Sequence, residues 1–250
     1  KEHSNMISNE MADNLELLLD RSFTNGSPGY EDFELSQFLT DGQNYFVKQQ
    51  LSRFNNRKGQ SFEETEARSQ SISELIKPFQ CPQSSDQTGV LKNGVFFDLP
   101  EDFMYTIYEE CEVNVNGCDG EPRVIDVKDV SHQEYRRLVR NKYKRPKLNG
   151  LEPLVWRMQF SRHVDNSSGT PSNRRHQIIT GDNFYPTGYR INYLMNPVDI
   201  VVDRSTPANQ VSCLLNKSSQ LMIIDIARDL AMGTLKEQKV NNIAPVNTLE

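Results

Sequence analysis

The spacing of apolar residues changes twice along this chain, and the two changes constrain the fold more than any single motif. In the first third, apolar residues recur every three or four positions. The stretch "NEMADNLELLLDRSF" sets Met11, Leu15, Leu18 and Leu19 on one helical face. "NGSPGY" then interrupts the chain, because Gly and Pro both oppose helix continuation. The next segment opens with acids, as suits a helix N-terminus. It carries a broad stripe of Phe33, Leu35, Phe38, Leu39, Phe46, Val47 and Leu51, with Gly42 weakening its middle. A third helix is expected in "SFEETEARSQSISELIKPF". There Ser61 and Glu64 have capping-box spacing, and Pro78 ends the run.

After Cys81 the period falls to two. "VLKNGVFFDLP" places Asn93-Gly94 between apolar runs, a hairpin signal. "FMYTIYEECEVNV" turns at "NGCDGEP" and returns as "RVIDVKDV". In "EPLVWRMQFSRH", Trp156, Met158 and Phe160 share one face and Arg157, Gln159 and Ser161 the other. "RRHQIIT", "GYRINYLM" and "VDIVVD" read as three further strands, with turns at "GDNFYPTG" and a bend at Asn196-Pro197. The longer period resumes in "SSQLMIIDIARDLAMGTLKEQ", with Ile223, Ile226, Ala227 and Leu230 as the apolar face.

Segregated elements of this order indicate an α+β fold. The expected organisation is a helical region over 1–80, an antiparallel β-rich region over 81–215, a helix over 216–238 packing with the N-terminal helices, and an extended tail over 239–250. With so few helices between strands, parallel crossovers are not expected.

Composition narrows the function classes. Hydrophobic residues are 36 %, low for a self-contained enzyme of this length. A subunit that completes its surface with neighbours has this balance. Lys and Arg number 28 against 34 Asp and Glu, a formal charge of −6, which argues against general DNA coating. No apolar run is long enough to span a bilayer. The cysteines Cys81, Cys111, Cys118 and Cys213 form no CxxC pair and read as free thiols of a protein assembled in the cytoplasm. A Cys111–Cys118 contact across a hairpin is the other reading.

Motifs of catalysis are not visible: GxSxG, GxGxxG and GxxxxGK[ST] do not occur. His3, His132, His163 and His176 lack metal-ligand spacing. Glu109 and Glu110 are adjacent on a strand and point to opposite faces, so a structural role is expected for them. No catalytic residue, metal or cofactor is therefore assigned.

One stretch breaks the acidic trend. "EYRRLVRNKYKRPK" holds Arg136, Arg137, Arg140, Lys142, Lys144, Arg145 and Lys147 against Glu134 alone. The residues leave three readings open: a solvated face, a protein contact, or a nucleic-acid-binding module over 134–147. The tail "KVNNIAPVNTLE" sets Ile243, Val246 and Leu249 three apart between polar residues. Such a segment buries little alone and is expected to extend and dock on another subunit.

Several phrases in order carry a resemblance. "FELSQFLTDGQNYFVKQQLSRFN", then Phe62, Glu63 and Arg68, then "FFDLPEDFMY", "SHQEYRRLVRNKYKRP", "YRINYLMNPVDIVVD" and "MIIDIARDLAMG" resemble head–tail connector or ring proteins of crAss-like, short-tailed bacteriophages. The order is kept from about Glu31 to Gln238. The resemblance implies no catalysis. It implies a virion protein, assembled in the host cytoplasm, that stacks beneath the portal as a ring of twelve copies and meets the adjoining connector or tail proteins. It also implies a channel through which packaged DNA passes without sequence-specific contact, and no membrane partner. Under it, Arg136, Arg137, Arg140, Lys142, Lys144 and Arg145 become expected inter-subunit contacts, as do Ile243, Val246 and Leu249. A virion-associated hydrolase is the competing expectation.

Overall fold

The computed structural model describes residues 5–22, 29–51, 66–117, 121–148, 154–161 and 174–235. The chain divides into two compact units, one from residues 1–75 and 197–250 and one from residues 76–196. The architecture is α+β, with helices at both ends of the chain and a seven-stranded sheet between.

The first unit contains helices α1 (Ser8–Ser22), α2 (Asp32–Leu51), α3 (Glu66–Ile72) and α5 (Lys217–Leu235). Met11, Leu15 and Leu19 of α1 are buried, as are Leu35, Leu39, Phe46 and Val47 of α2. Ile223, Ile224, Ala227 and Ala231 supply the buried face of α5, which packs on α1 and α2. Phe33 departs from the expected stripe: it is 75 % exposed. Gly42 lies where α2 packs against the backbone of α5. A Cβ there would stand 3.0 Å from the Ile223 carbonyl oxygen and 3.2 Å from the Ala227 Cβ.

The segment "VDIVVD" is not a sheet strand. It runs extended beside α2 and is held by side chains one helical turn apart. Asp32 accepts from the Arg204 N–H (3.0 Å), Ser36 from Val202 (2.9 Å) and Thr40 from Ile200 (3.0 Å). Gln43 donates to the Val198 carbonyl at 2.8 Å. Four helical residues rise about 6 Å, and two extended residues about 6.6 Å. The steps match closely enough for every second backbone amide to meet a side chain from the next helical turn. On the opposite edge of this segment Val201 bridges Val211, and the Asp203 carbonyl accepts from Gln210 Nε2 at 2.8 Å.

The second unit holds β1 (Ile76–Cys81), β2 (Gly94–Asp98), β3 (Phe103–Val115), β4 (Arg123–Asp129), helix α4 (His132–Arg140), β5 (Leu154–Ser161), β6 (Arg174–Ile179) and β7 (Phe184–Met195). The strand order is β1-β7-β3-β4-β5-β6-β2. β3 and β4 pair as the expected hairpin. The 13-residue β3 keeps its pairing with β7 through three register shifts.

Four expectations are corrected here. First, β4 and β5 pair in parallel, because their connection is long enough to include α4 and cross over. Second, Asn93-Gly94 does not make a hairpin between neighbouring strands. Asn93 adopts the left-handed conformation (φ 58°), and its carbonyl accepts the Thr180 N–H at 2.9 Å. The turn thus starts β2 and fixes it to the end of β6. Third, Pro78 does not end a helix. The helix stops at Ile72 and a 3₁₀ turn follows, so Pro78 lies in β1, an edge strand that tolerates a missing N–H. Fourth, "FYPTG" is not a turn but the start of β7. Pro186 sits there beyond the last β1 partner, Tyr189, and beside a register shift against β3.

The sheet curls, so side chains of β2 reach those of β7 and side chains of β6 reach those of β3, although these strands are not neighbours. Phe97 and Tyr189 rings lie 5.5 Å apart, and Phe103 stacks edge-on against His176 at 5.6 Å. The other face is closed by α4: Val130, Leu138, Trp156, Met158 and Ile179 form one buried cluster.

Candidate assembly surfaces

Trp156 and Met158 face α4 as the alternation requires, and Phe160 packs partly buried against the same cluster. Arg157 on the opposite face is not solvated, however. It is 9 % exposed and enters a closed polar cycle drawn from four strands. Its Nη1 donates to His176 Nε2 (3.2 Å), and His176 Nδ1–H donates to the Tyr189 hydroxyl (2.8 Å). Tyr189 donates to Glu109 Oε2 (2.6 Å), which lies 3.1 Å from Arg157 Nε. Asp129 pairs with Arg157 Nη2 at 3.0 Å.

These bonds fix the tautomer: a neutral His176 carries its proton on Nδ1. Burial, then the Arg157 charge, pushes the His176 pKa down to about 3. Burial raises that of Glu109, while Arg157 and Tyr189 oppose the rise. Tyr189 is raised by burial and by Glu109. His176 and Tyr189 are fully buried, and each of the four side chains contacts two others of the cycle.

Glu110 faces away and accepts from the Tyr108 hydroxyl at 2.7 Å. The two adjacent carboxylates therefore stand in different environments and do not meet across a substrate. Among the described residues no group of His, Cys, Asp and Glu is placed to hold a metal ion, and no helix is long and apolar enough to cross a membrane. Cys81, Cys111 and Cys213 are free and buried. Burial first, with nearby carboxylates, pushes the first two to about 12 and Cys213 to about 11. Cys118, His3, His163 and the Ser61–Glu64 pair lie outside the described residues.

The basic stretch is an ordered surface. Ser131 caps α4 by accepting the Glu134 N–H at 3.3 Å. Leu138 is buried, and Tyr135 meets Trp156 edge-on at 6.2 Å. Past the helix, Asn141 Oδ1 accepts the Tyr143 N–H (3.1 Å), and Arg145 Nε donates to the Val139 carbonyl (2.8 Å). Lys147 bridges Leu154, which closes the loop.

These caps hold the backbone while the cations project outward. Arg136, Arg137, Arg140, Lys142, Lys144 and Arg145 are all exposed. Arg137 pairs with Glu134 at 3.2 Å. Among the described residues, Arg136, Arg140, Lys142 and Lys144 have no ion-pair partner. Tyr143, between the two lysines, is 88 % exposed. Ile243, Val246 and Leu249 lie outside the described residues.

The first unit presents the opposite chemistry. A groove of about 570 Å³ runs beside α2 and is lined by Phe33, Gln37, Asp41 and Asp199 among others, with no basic residue. Arg204 lies nearby but is committed, pairing with Asp13 (2.8 Å), Glu16 (2.9 Å) and Asp32 (3.2 Å). Sequence reasoning missed this surface, because half of it comes from residues far away in the chain. The exposed Phe33 beside acids was its only local sign.

The described residues thus present to solvent a basic surface on α4 and its loop and a groove beside α2 lined without basic residues. The chain belongs to the phage tail ring protein 3/4 family, whose model matches residues 6–242. The ring protein 4/5 of Bacteroides phage crAss001 is 25 % identical over 198 residues, covering 78 % of this chain and 75 % of that protein. Ring protein 3 of the same phage is 29 % identical over 105 residues, covering 42 % of this chain and 46 % of that protein. The resemblance read from the ordered phrases holds over nearly the whole chain.

Proposed function

We propose that this chain is a structural virion subunit that closes into a ring in the phage head–tail connector or tail. The family match over residues 6–242 carries the reading. In its finer form the ring lies beneath the portal, contains twelve copies, meets adjoining connector or tail proteins and continues the DNA channel. Net acidity supports passage of DNA: a surface of net charge −6 repels phosphates, whereas a basic lumen would hold them. Assembly takes place in the host cytoplasm before the particle is complete.

Within that ring, Arg136, Arg137, Arg140, Lys142, Lys144 and Arg145 act as inter-subunit contacts, and Ile243, Val246 and Leu249 form a second contact from the tail. Charged groups at a contact set orientation and association rate. Replacing Arg136, Arg137 and Arg140 by Glu is expected to block assembly and leave the melting temperature unchanged, since all three are exposed. Complemented phage particles, imaged by electron microscopy, provide the readout. Normal particles would show the stretch to be a solvated face. Salt-sensitive retention of DNA by the purified chain would favour the nucleic-acid reading instead.

A further inference from the structure

We propose that the basic block of one copy seats in the groove beside α2 of a second copy. This deepens the ring reading and rests on it.

The two surfaces complement each other in charge. Arg136, Arg140, Lys142 and Lys144 have no ion-pair partner among the described residues. In the groove, Asp32 is taken by Arg204, and Asp203 accepts the backbone N–H groups of Ser205 (2.9 Å) and Thr206 (2.7 Å). Asp41 and Asp199 are exposed and have no cation among the described residues. Each surface therefore carries unspent charge of the sign the other lacks.

They also match in aromatic content and length. Phe33, Gln37, Asp41 and Tyr45 form one line on α2 at four-residue spacing. Phe33 is 75 % exposed at one end, and Tyr45 is 47 % exposed at the other. The line is about 18 Å long. An arginine laid over Phe33 gains a cation–π contact as well as the nearby carboxylates. On the other surface Tyr143 is equally bare. The nine residues of α4 span about 13 Å, and the capped loop extends the block beyond the helix.

Both surfaces are preorganised. The caps at Ser131, Asn141 and Arg145 hold one, and the Asp32–Ser36–Thr40 ladder holds the other. Little conformational freedom remains to be lost on docking. Two different surfaces on each copy make a heterologous contact, the kind that closes into a ring.

The test uses the full chain in two single-face variants. One carries Arg136→Asp and Arg140→Asp, the other Asp41→Arg and Asp199→Arg. Each alone is expected to lose about tenfold in ring incorporation, as fits loss of a steering charge contact. Mixed together, they should regain closure as rings in which the two variants alternate, visible by mass photometry, because the acidic block of one meets the basic groove of the other and the two unaltered faces meet at the next contact. A chain bearing all four changes should close rings again. The pairing is overturned if the groove variant assembles like the wild type. It is also overturned if the four-fold variant keeps its melting temperature and still fails. A wild-type chain that forms no ring beside a portal overturns the ring reading and this pairing with it.

Discussion

At the residue scale, the Arg157–His176–Tyr189–Glu109 cycle is where charge and burial meet most sharply. His176 is neutral in the fold, with a pKa near 3. An unfolded histidine protonates near 6.5. The unfolded chain therefore takes up the extra proton, and stability falls as pH drops from about 6.5 toward 3. Glu109 acts in the opposite sense in the window just above pH 4.5, because its folded pKa is raised from that value. From about pH 6.5 down to that window the histidine should dominate the response of this cycle, with a limiting slope of about 1.4 kcal/mol per pH unit. Replacing His176 with Gln should remove that slope. It should also cost about 1–3 kcal/mol at neutral pH, because the cycle's remaining polar groups are buried. Urea denaturation across this range checks both; an unchanged slope would show that His176 is not the responsible group.

At the scale of elements, two helical glycines separate propensity from packing. Glycine in a helix interior costs about 0.5–1 kcal/mol relative to alanine. Gly233 on α5 has open space where a Cβ would go, so Gly233→Ala should gain roughly that amount. At Gly42 the new Cβ meets the α5 backbone itself, including the Ala227 nitrogen at 3.2 Å. A backbone moves only if the whole helix shifts, so Gly42→Ala should lose about 1–3 kcal/mol despite its better propensity. Thermal unfolding of the two variants should move in opposite directions, and parallel shifts would refute the close approach of α2 and α5. The periodicity of α2 shows Gly42 as a weak point. Only the presence of α5 makes it a requirement.

At the scale of the whole molecule, surfaces of opposite charge sit within one acidic chain that belongs to the ring family. Deleting Asn241 to Glu250 tests the proposed second contact. Lost assembly with an unchanged melting temperature supports an arm that serves another subunit. A matching loss of both would show that these residues stabilise their own chain.

Much of this was legible in the sequence. The changes of apolar period gave an α+β fold with the sheet between helical ends. The acids at the start of α2 and the isolated basic block were readable, because such signals act over one or two helical turns. The ordered phrases pointed to the ring family. Periodicity says which residues share a face, however, and not what that face will meet. Arg157 alternates as a surface residue should, yet the curled sheet brings His176, Tyr189 and Glu109 around it and makes its burial tolerable. Asn93-Gly94 is a turn signal, but its partner is Thr180 at the end of β6. Val198 to Asp203 reads as a strand, and its backbone is extended. It meets α2 rather than a sheet because Asp32, Ser36 and Thr40 present acceptors at a matching step. The local chain determined its turns, faces and charges; the tertiary structure decided their partners, because burial and backbone pairing depend on residues brought together only when the core closes.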